Sequence, residues 1–182
     1  HISSPSPSQA QLNSLLEYYQ NGRFNDAEKL AIVITREFPT HQFGWKVLGA
    51  VLGQKGRKSE SLNVNQKAAE LSPQDVEVHN NLGIAFKELG RLEEAEASYR
   101  KAISINFDVA ESHSNLGNTL KELNRLEEAE ASYTQAITLK PDYTEAHNSL
   151  AVTLKELGRL KEAEASYTRA IALKPRYVEA YY

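Results

Sequence analysis

Small and apolar side chains recur along this chain in steps of three and four. Between Ala110 and Leu123 they fall at positions 110, 116, 117, 120 and 123, which traces one stripe along a helix. Asn124-Arg125 interrupts the stripe, and a second helical run follows from about Leu126 to Leu139. Ala129, Tyr133, Ala136, Ile137 and Leu139 give that run its inward face. Lys140-Pro141 ends it, because proline lacks an N–H and restricts the residue before it. The pattern predicts two short amphipathic helices joined by a tight turn. Gly22, Gly56, Gly90 and Gly158 stand where Asn124 stands, and both residue types tolerate the positive φ of a sharp helix exit. Pro39, Pro73 and Pro175 repeat the stop at Pro141. Phe107 takes that place once, so the helix end there is expected to rest on Asn106 and the start of the next segment.

The helix pair is itself repeated. His79, His113 and His147 head three near-identical stretches spaced by 34 residues, and segments 110–143 and 144–177 agree at 23 of 34 positions. The period runs backwards through Trp45, Leu48, Gly49, Ala68 and Pro73, then through Tyr18, Gly22, Ala27 and Pro39. Five units are expected: 8–41, 42–75, 76–109, 110–143 and 144–177. Residues 1–7 are Ser/Pro-rich and read as a linker or tag remnant; residues 178–182 read as the first turn of a truncated sixth unit. One helix pair cannot bury its apolar face alone, so at least three units must stack to complete a core. Leu82, Gly83, Ala95, Tyr99 and Ala102 recur as Leu116, Gly117, Ala129, Tyr133 and Ala136, and again as Leu150, Ala151, Ala163, Tyr167 and Ala170. The small members let helices approach closely and the large ones fill the space between units.

This combination resembles the tetratricopeptide repeat family: Trp or His, then Leu-Gly, then Ala, Tyr, Ala and Pro at fixed intervals. The resemblance covers residues 8–177. It is tightest in units three to five and loosest in unit one, where Leu15 replaces Gly or Ala. It implies an all-α fold, a right-handed α-solenoid of antiparallel helix pairs. It also implies a concave groove lined by the first helices, suited to peptides or flat protein surfaces. The near-identical units look like those of bacterial tetratricopeptide arrays.

Composition narrows the chemistry. The 21 Lys+Arg and 24 Asp+Glu leave a net charge of -3, so no basic excess points to nucleic acid. No apolar run approaches the roughly 20 residues of a membrane helix, and no secretory signal is visible, which makes a cytoplasmic location the default expectation. The chain has no Cys, which excludes disulfides, thiolate metal sites and cysteine nucleophiles. It has no Met either, which points to an excised or processed segment. No Ser-His-Asp arrangement, Gly-rich phosphate loop or HExxH motif occurs, so no catalysis, cofactor or metal is expected of this segment. His79, His113 and His147 lie one unit apart, roughly the 8–10 Å between packed helices. Ligands of one zinc ion must converge on bonds of about 2.0 Å, so these histidines are read as structural. The acidic pairs Glu93-Glu94 and Glu127-Glu128 open second helices, where they favour the helix dipole.

The candidate binding residues lie on the first helices. Asn13, Asn81 and Asn115 share one repeat position, with Val47 and Ser149 replacing them in the other units. Asn80 and Asn148 stand one place before that position and Asn118 three places after it. An asparagine side chain donates and accepts at once, which suits pairing with an extended peptide backbone. The spacing resembles the asparagine ladder in the tetratricopeptide superhelix of O-linked N-acetylglucosamine transferases. Asn80, Asn118, Lys87 and Lys121 supply part of a second family device, a clamp for a C-terminal carboxylate, whose basic position is occupied here by Ser114 and Asn148. Phe43 and Tyr19 lie off the repeated core positions and are candidates for the groove. The expected function is a non-catalytic scaffold that binds a protein or an extended peptide. The alternative is the substrate-docking or oligomerisation region of a larger enzyme of glycosyltransferase, sulfotransferase or hydroxylase type. Self-association through uncapped solenoid ends, where Tyr181 and Tyr182 stand, is a third expectation.

Overall fold

A computed structural model describes residues 6–174. The expected sixth-unit turn at 178–182, Pro175 and most of the leading linker lie outside the described residues. Among the described residues there are ten helices and no strand: α1 (Gln9–Gln20), α2 (Phe24–Glu37), α3 (Gln42–Gln54), α4 (Lys58–Leu71), α5 (Val76–Glu88), α6 (Leu92–Ile105), α7 (Ala110–Glu122), α8 (Leu126–Leu139), α9 (Thr144–Glu156) and α10 (Leu160–Leu173). The fold class is the all-α solenoid of helix pairs that the repeat predicts. The chain forms two compact units, one ending at Arg91 and the other starting at Leu92. In the first, α1 to α5 pack in chain order, and α3 also touches α1 and α5. In the second, α6 to α10 pack in chain order, and α7 touches α9. Odd-numbered helices thus line up side by side within each unit. No described helix is long and apolar enough to cross a membrane.

The turns follow from the sequence. Gly22, Gly56, Gly90 and Gly158 adopt φ between 69° and 76°, and Asn124 is the single described non-glycine residue with positive φ, at 58°. Each is followed by an arginine whose backbone N–H reaches the carbonyl five residues back: Arg57 to Leu52, Arg125 to Leu120 and Arg159 to Leu154. This closes the last turn of the first helix as in a Schellman motif.

The second turn, between repeats, is fastened by the repeated aromatic position. Trp45 Nε1 donates to the Pro39 carbonyl at 2.9 Å. His79, His113 and His147 place Nε2 at 3.0, 2.8 and 3.0 Å from the carbonyls of Pro73, Phe107 and Pro141. A carbonyl only accepts, so each ring carries its proton on Nε2. Phe107 therefore offers the same acceptor as the prolines and stacks edge-on against His113, with ring centroids 4.9 Å apart. Asn106 Oδ1 accepts from the Asp108 N–H at 2.9 Å, which supports the exit that lacks proline.

The core is made of complementary sizes. In repeat four, Gly117 lies so close to the Tyr133 ring that a Cβ there would sit 2.7 Å from it. Repeat one reverses the sizes: Leu15 and Ala31 occupy the two positions, both fully buried in one cluster with Ile34 and Val51. Tyr99, Ala95, Ala129 and Ala136 are also fully buried, while Tyr167 in the last repeat is only half-buried.

Three of these turn arginines also link successive second helices within a compact unit. Arg125 binds Glu96 at 2.6 Å and Glu128 at 2.7 Å. Arg159 does the same with Glu130 at 2.6 Å and Glu162 at 2.5 Å. Arg57 joins Glu28 and Glu60, and Lys55 also reaches Glu28. Glu128 was expected to serve the helix dipole; it also orients this arginine fork. The hydrogen bond from Lys55, aided by Arg57 and opposed by burial, holds the Glu28 carboxyl below the ordinary carboxylate range.

Two outcomes follow from this packing. Ala129→Phe should overfill the buried layer and cost about 1–3 kcal/mol, read as a lower Tm; an unchanged melting curve would remove Ala129 from the packed face. The Glu28 carboxyl is lowered on folding, so its contribution is present above the unfolded value of about 4.3 and is lost as pH falls through the lower folded value. Thermal melts of wild type and Glu28→Gln should therefore differ most near neutrality and converge in acid. A gap that stays constant across that range would show that the Glu28 charge contributes nothing.

Candidate peptide-binding surface

The odd-numbered helices carry every candidate residue. In the first compact unit these are Asn13 and Tyr19 on α1, Phe43 on α3, and Asn80, Asn81 and Lys87 on α5. Asn13 is exposed and accepts a hydrogen bond from Gln9 of its own helix at 2.9 Å. Phe43 is half-buried and packs against the cluster that contains Leu15 and Leu48. Asn80 is buried, and Lys87 is half-buried. The structure brings two candidates together: Tyr19 and Asn81 line one pocket of about 320 Å³ with Gly49, Ser61, Asn65 and Ile84. Three odd-numbered helices bound this pocket and α4 floors it.

Sequence reasoning missed the floor. Ser61 donates to the Gly49 carbonyl at 2.9 Å, and Asn65 Nδ2 donates to Ser61 Oγ at 3.1 Å. Asn65 is 1% exposed, yet its Oδ1 has no hydrogen-bond partner; Asn81 Nδ2 is buried and unpartnered as well. The signal was present in the repeat alignment, because Ser61 stands where the other units have alanine and Asn65 where three units have tyrosine.

In the second compact unit, Asn115, Asn118 and Lys121 lie on α7 and Asn148 and Ser149 on α9. Asn118 Oδ1 accepts from the Tyr133 hydroxyl at 2.7 Å. Burial pushes that hydroxyl well above the ordinary tyrosine range, against the opposing effect of a hydrogen bond with Ser149. Asn118 and Ser149 therefore share a buried tyrosine. Lys121 pairs with Glu156 at 3.3 Å. Asn115 is half-buried, and its carbonyl accepts from Thr119 at 3.0 Å. Asn148 is half-buried. Of the ladder residues in this unit, Asn115 has the side chain least involved in holding the fold together.

Comparisons with known proteins agree with this architecture. No curated protein sequence matches the chain. Among solved structures, MamA superposes with a TM-score of 0.79 at 19% identity, covering 90% of this chain and 95% of that one. MamA from Desulfovibrio magneticus RS-1 gives 0.81 at 16% identity, covering 92% and 95%. TTC0263, a thermophilic TPR protein in Thermus thermophilus, gives 0.77 at 25% identity, covering 94% and 93%. Models described as tetratricopeptide repeat match residues 77–142 and 114–178, and one described as TPR repeat matches residues 49–90. Repeated helix pairs, small-for-large packing and these matches together make the chain a member of the tetratricopeptide repeat family.

Proposed function

We propose that the five repeats form a non-catalytic scaffold that binds an extended peptide or a protein segment along the odd-numbered helices of each compact unit. Tetratricopeptide repeats generally mediate protein–protein interactions. The observation that carries the reading here is the division of labour within each repeat. The buried faces of the even-numbered helices carry the alanine and tyrosine packing positions and the arginine forks join their carboxylates, whereas the odd-numbered helices keep half-buried amides at Asn81, Asn115 and Asn148. An amide held by a rigid helix can pair with the N–H and C=O of a peptide backbone whatever its sequence. A chain lying across successive helices would meet such a group at intervals.

The test is a peptide library profiled against wild type and the double variant Asn81→Ala/Asn115→Ala. Each lost amide should weaken binding about tenfold when its partner on the peptide is left unsatisfied. Asn118 is a poorer choice, because its removal orphans the Tyr133 hydroxyl and confounds binding with stability. Equal affinities of both proteins for the selected peptides would refute amide pairing on this face.

A further inference from the structure

The alignment of repeats isolates one coordinated departure. On the even-numbered helices, the alanine position reads Ala27, Ser61, Ala95, Ala129 and Ala163, and the tyrosine position reads Ala31, Asn65, Tyr99, Tyr133 and Tyr167. The aligned position on the first helices reads Leu15, Gly49, Gly83, Gly117 and Ala151. Repeat one compensates for its small Ala31 with a large Leu15. Repeat two sets a polar residue in place of the ring: Asn65 packs directly over Gly49. Beside this pair lies the pocket of about 320 Å³ between α1, α3 and α5.

This space is polar by construction. The Ser61 hydroxyl is committed as donor to the Gly49 carbonyl, so its oxygen accepts from Asn65 Nδ2 and fixes which way the Asn65 amide points. Asn65 Oδ1 is left over the Gly49 backbone, where a Cβ would stand 2.2 Å from it, without a partner. Asn81 Nδ2, on the α5 wall, is a second atom of the lining that is buried without a partner. Buried amides left in this state are rare in folded proteins and call for an explanation. Ala50 and Ile84 supply apolar wall, and the Glu88 carboxylate stands at the lining's exposed end.

We infer that this pocket is a carboxamide-binding subsite. An unsatisfied acceptor and an unsatisfied donor on facing helices are complemented by a group that offers one of each, and an amide does so with its N–H toward Asn65 Oδ1 and its C=O toward Asn81 Nδ2. A carboxylate would bring no donor to Asn65 and would meet Glu88. An ammonium group would bring no acceptor to Asn81. The pocket is far larger than the ~30 Å³ share of a single water, so it admits a side chain. The inference deepens the peptide-binding reading by giving one position on the surface its chemistry. The amide could come from an asparagine or glutamine side chain or from a peptide backbone.

Small probes separate these sources and test the pocket apart from the peptide. The ¹⁵N-labelled chain is titrated with propionamide, N-methylacetamide, propionate and propylammonium while the side-chain amide signals of Asn65 and Asn81 are followed. Saturable shifts are expected with an amide and not with the ions. Stronger binding of propionamide assigns the site to a side-chain amide; stronger binding of N-methylacetamide assigns it to a backbone. Asn65→Tyr restores the ring found at Tyr133, which Gly49 can face as Gly117 does, and should abolish the Asn81 response. Asn65→Leu leaves room but removes the amide, and should weaken binding at least about tenfold. Non-saturating shifts with both amides, tighter binding of either ion, or an undiminished Asn81 response in the folded Asn65→Tyr protein would overturn the inference. Peptide binding that depends on Asn115 would survive any of those results, so the two readings fail separately.

Discussion

A pair of helices a dozen or so residues long has more apolar surface than it can hide by itself, and the rest of this molecule answers that constraint. Each repeat must hand its uncovered face to the next, so the contact surface must be the same on every copy. Within a repeat, the fit between a small residue on the first helix and a ring on the second fixes the shape that is presented to the next copy. Gly117 against Tyr133 shows the arrangement directly: the absent Cβ is the space the ring occupies. Leu15 with Ala31 shows that total volume is conserved even where the identities are exchanged. Interiors pack to near-crystalline density, so a change at one of these positions requires an answering change at the other.

Polar groups then fix the angles that apolar packing leaves loose. The hydrogen bond from Trp45, His79, His113 or His147 to a carbonyl six residues earlier ties each inter-repeat turn to the helix that follows it. Arg57, Arg125 and Arg159, each following a positive-φ turn, close one helix with the backbone and bind carboxylates of two successive even-numbered helices with the side chain. Individually such exposed ion pairs contribute little. Their effect is registry, because the same fork geometry recurs at Arg57, Arg125 and Arg159 and sets the same step between neighbouring helices.

Most of this fold was legible in the sequence because its rules are local and repeated. Turn residues, helix stops and the apolar stripe depend on residues within one period, and five copies make the period visible. The structural reading of the histidines was also accessible, though the acceptor was not: a hydrogen bond to a backbone carbonyl has no residue type to betray it. The roles of Glu96 and Glu130 were hidden for a different reason. Their arginine partners lie 29 residues away, a spacing with no meaning until the helices are stacked. The candidate surface was read only in outline. Asn118 serves Tyr133 of its own repeat and half-buried Phe43 packs against a cluster that includes repeat-one residues, contacts that depend on helices already being stacked.

The same logic locates specificity. Where the interlock is intact, as at Gly117 and Tyr133, the helices meet with little room between them. On the proposed peptide-binding reading, selectivity then falls to positions where the repeat rule is relaxed. Repeat two relaxes it at Val47, Ser61 and Asn65 together, while keeping Gly49. Polar replacements in a buried layer lower stability unless they are satisfied. A departure that joins Ser61 to Asn65 through a defined hydrogen bond and leaves Asn65 Oδ1 without a partner is poorly explained by drift in the packing code. On the inference above, a ligand group completes the hydrogen bonds. On this view the regular repeats hold the irregular one rigid, and the irregular one distinguishes one bound segment from another.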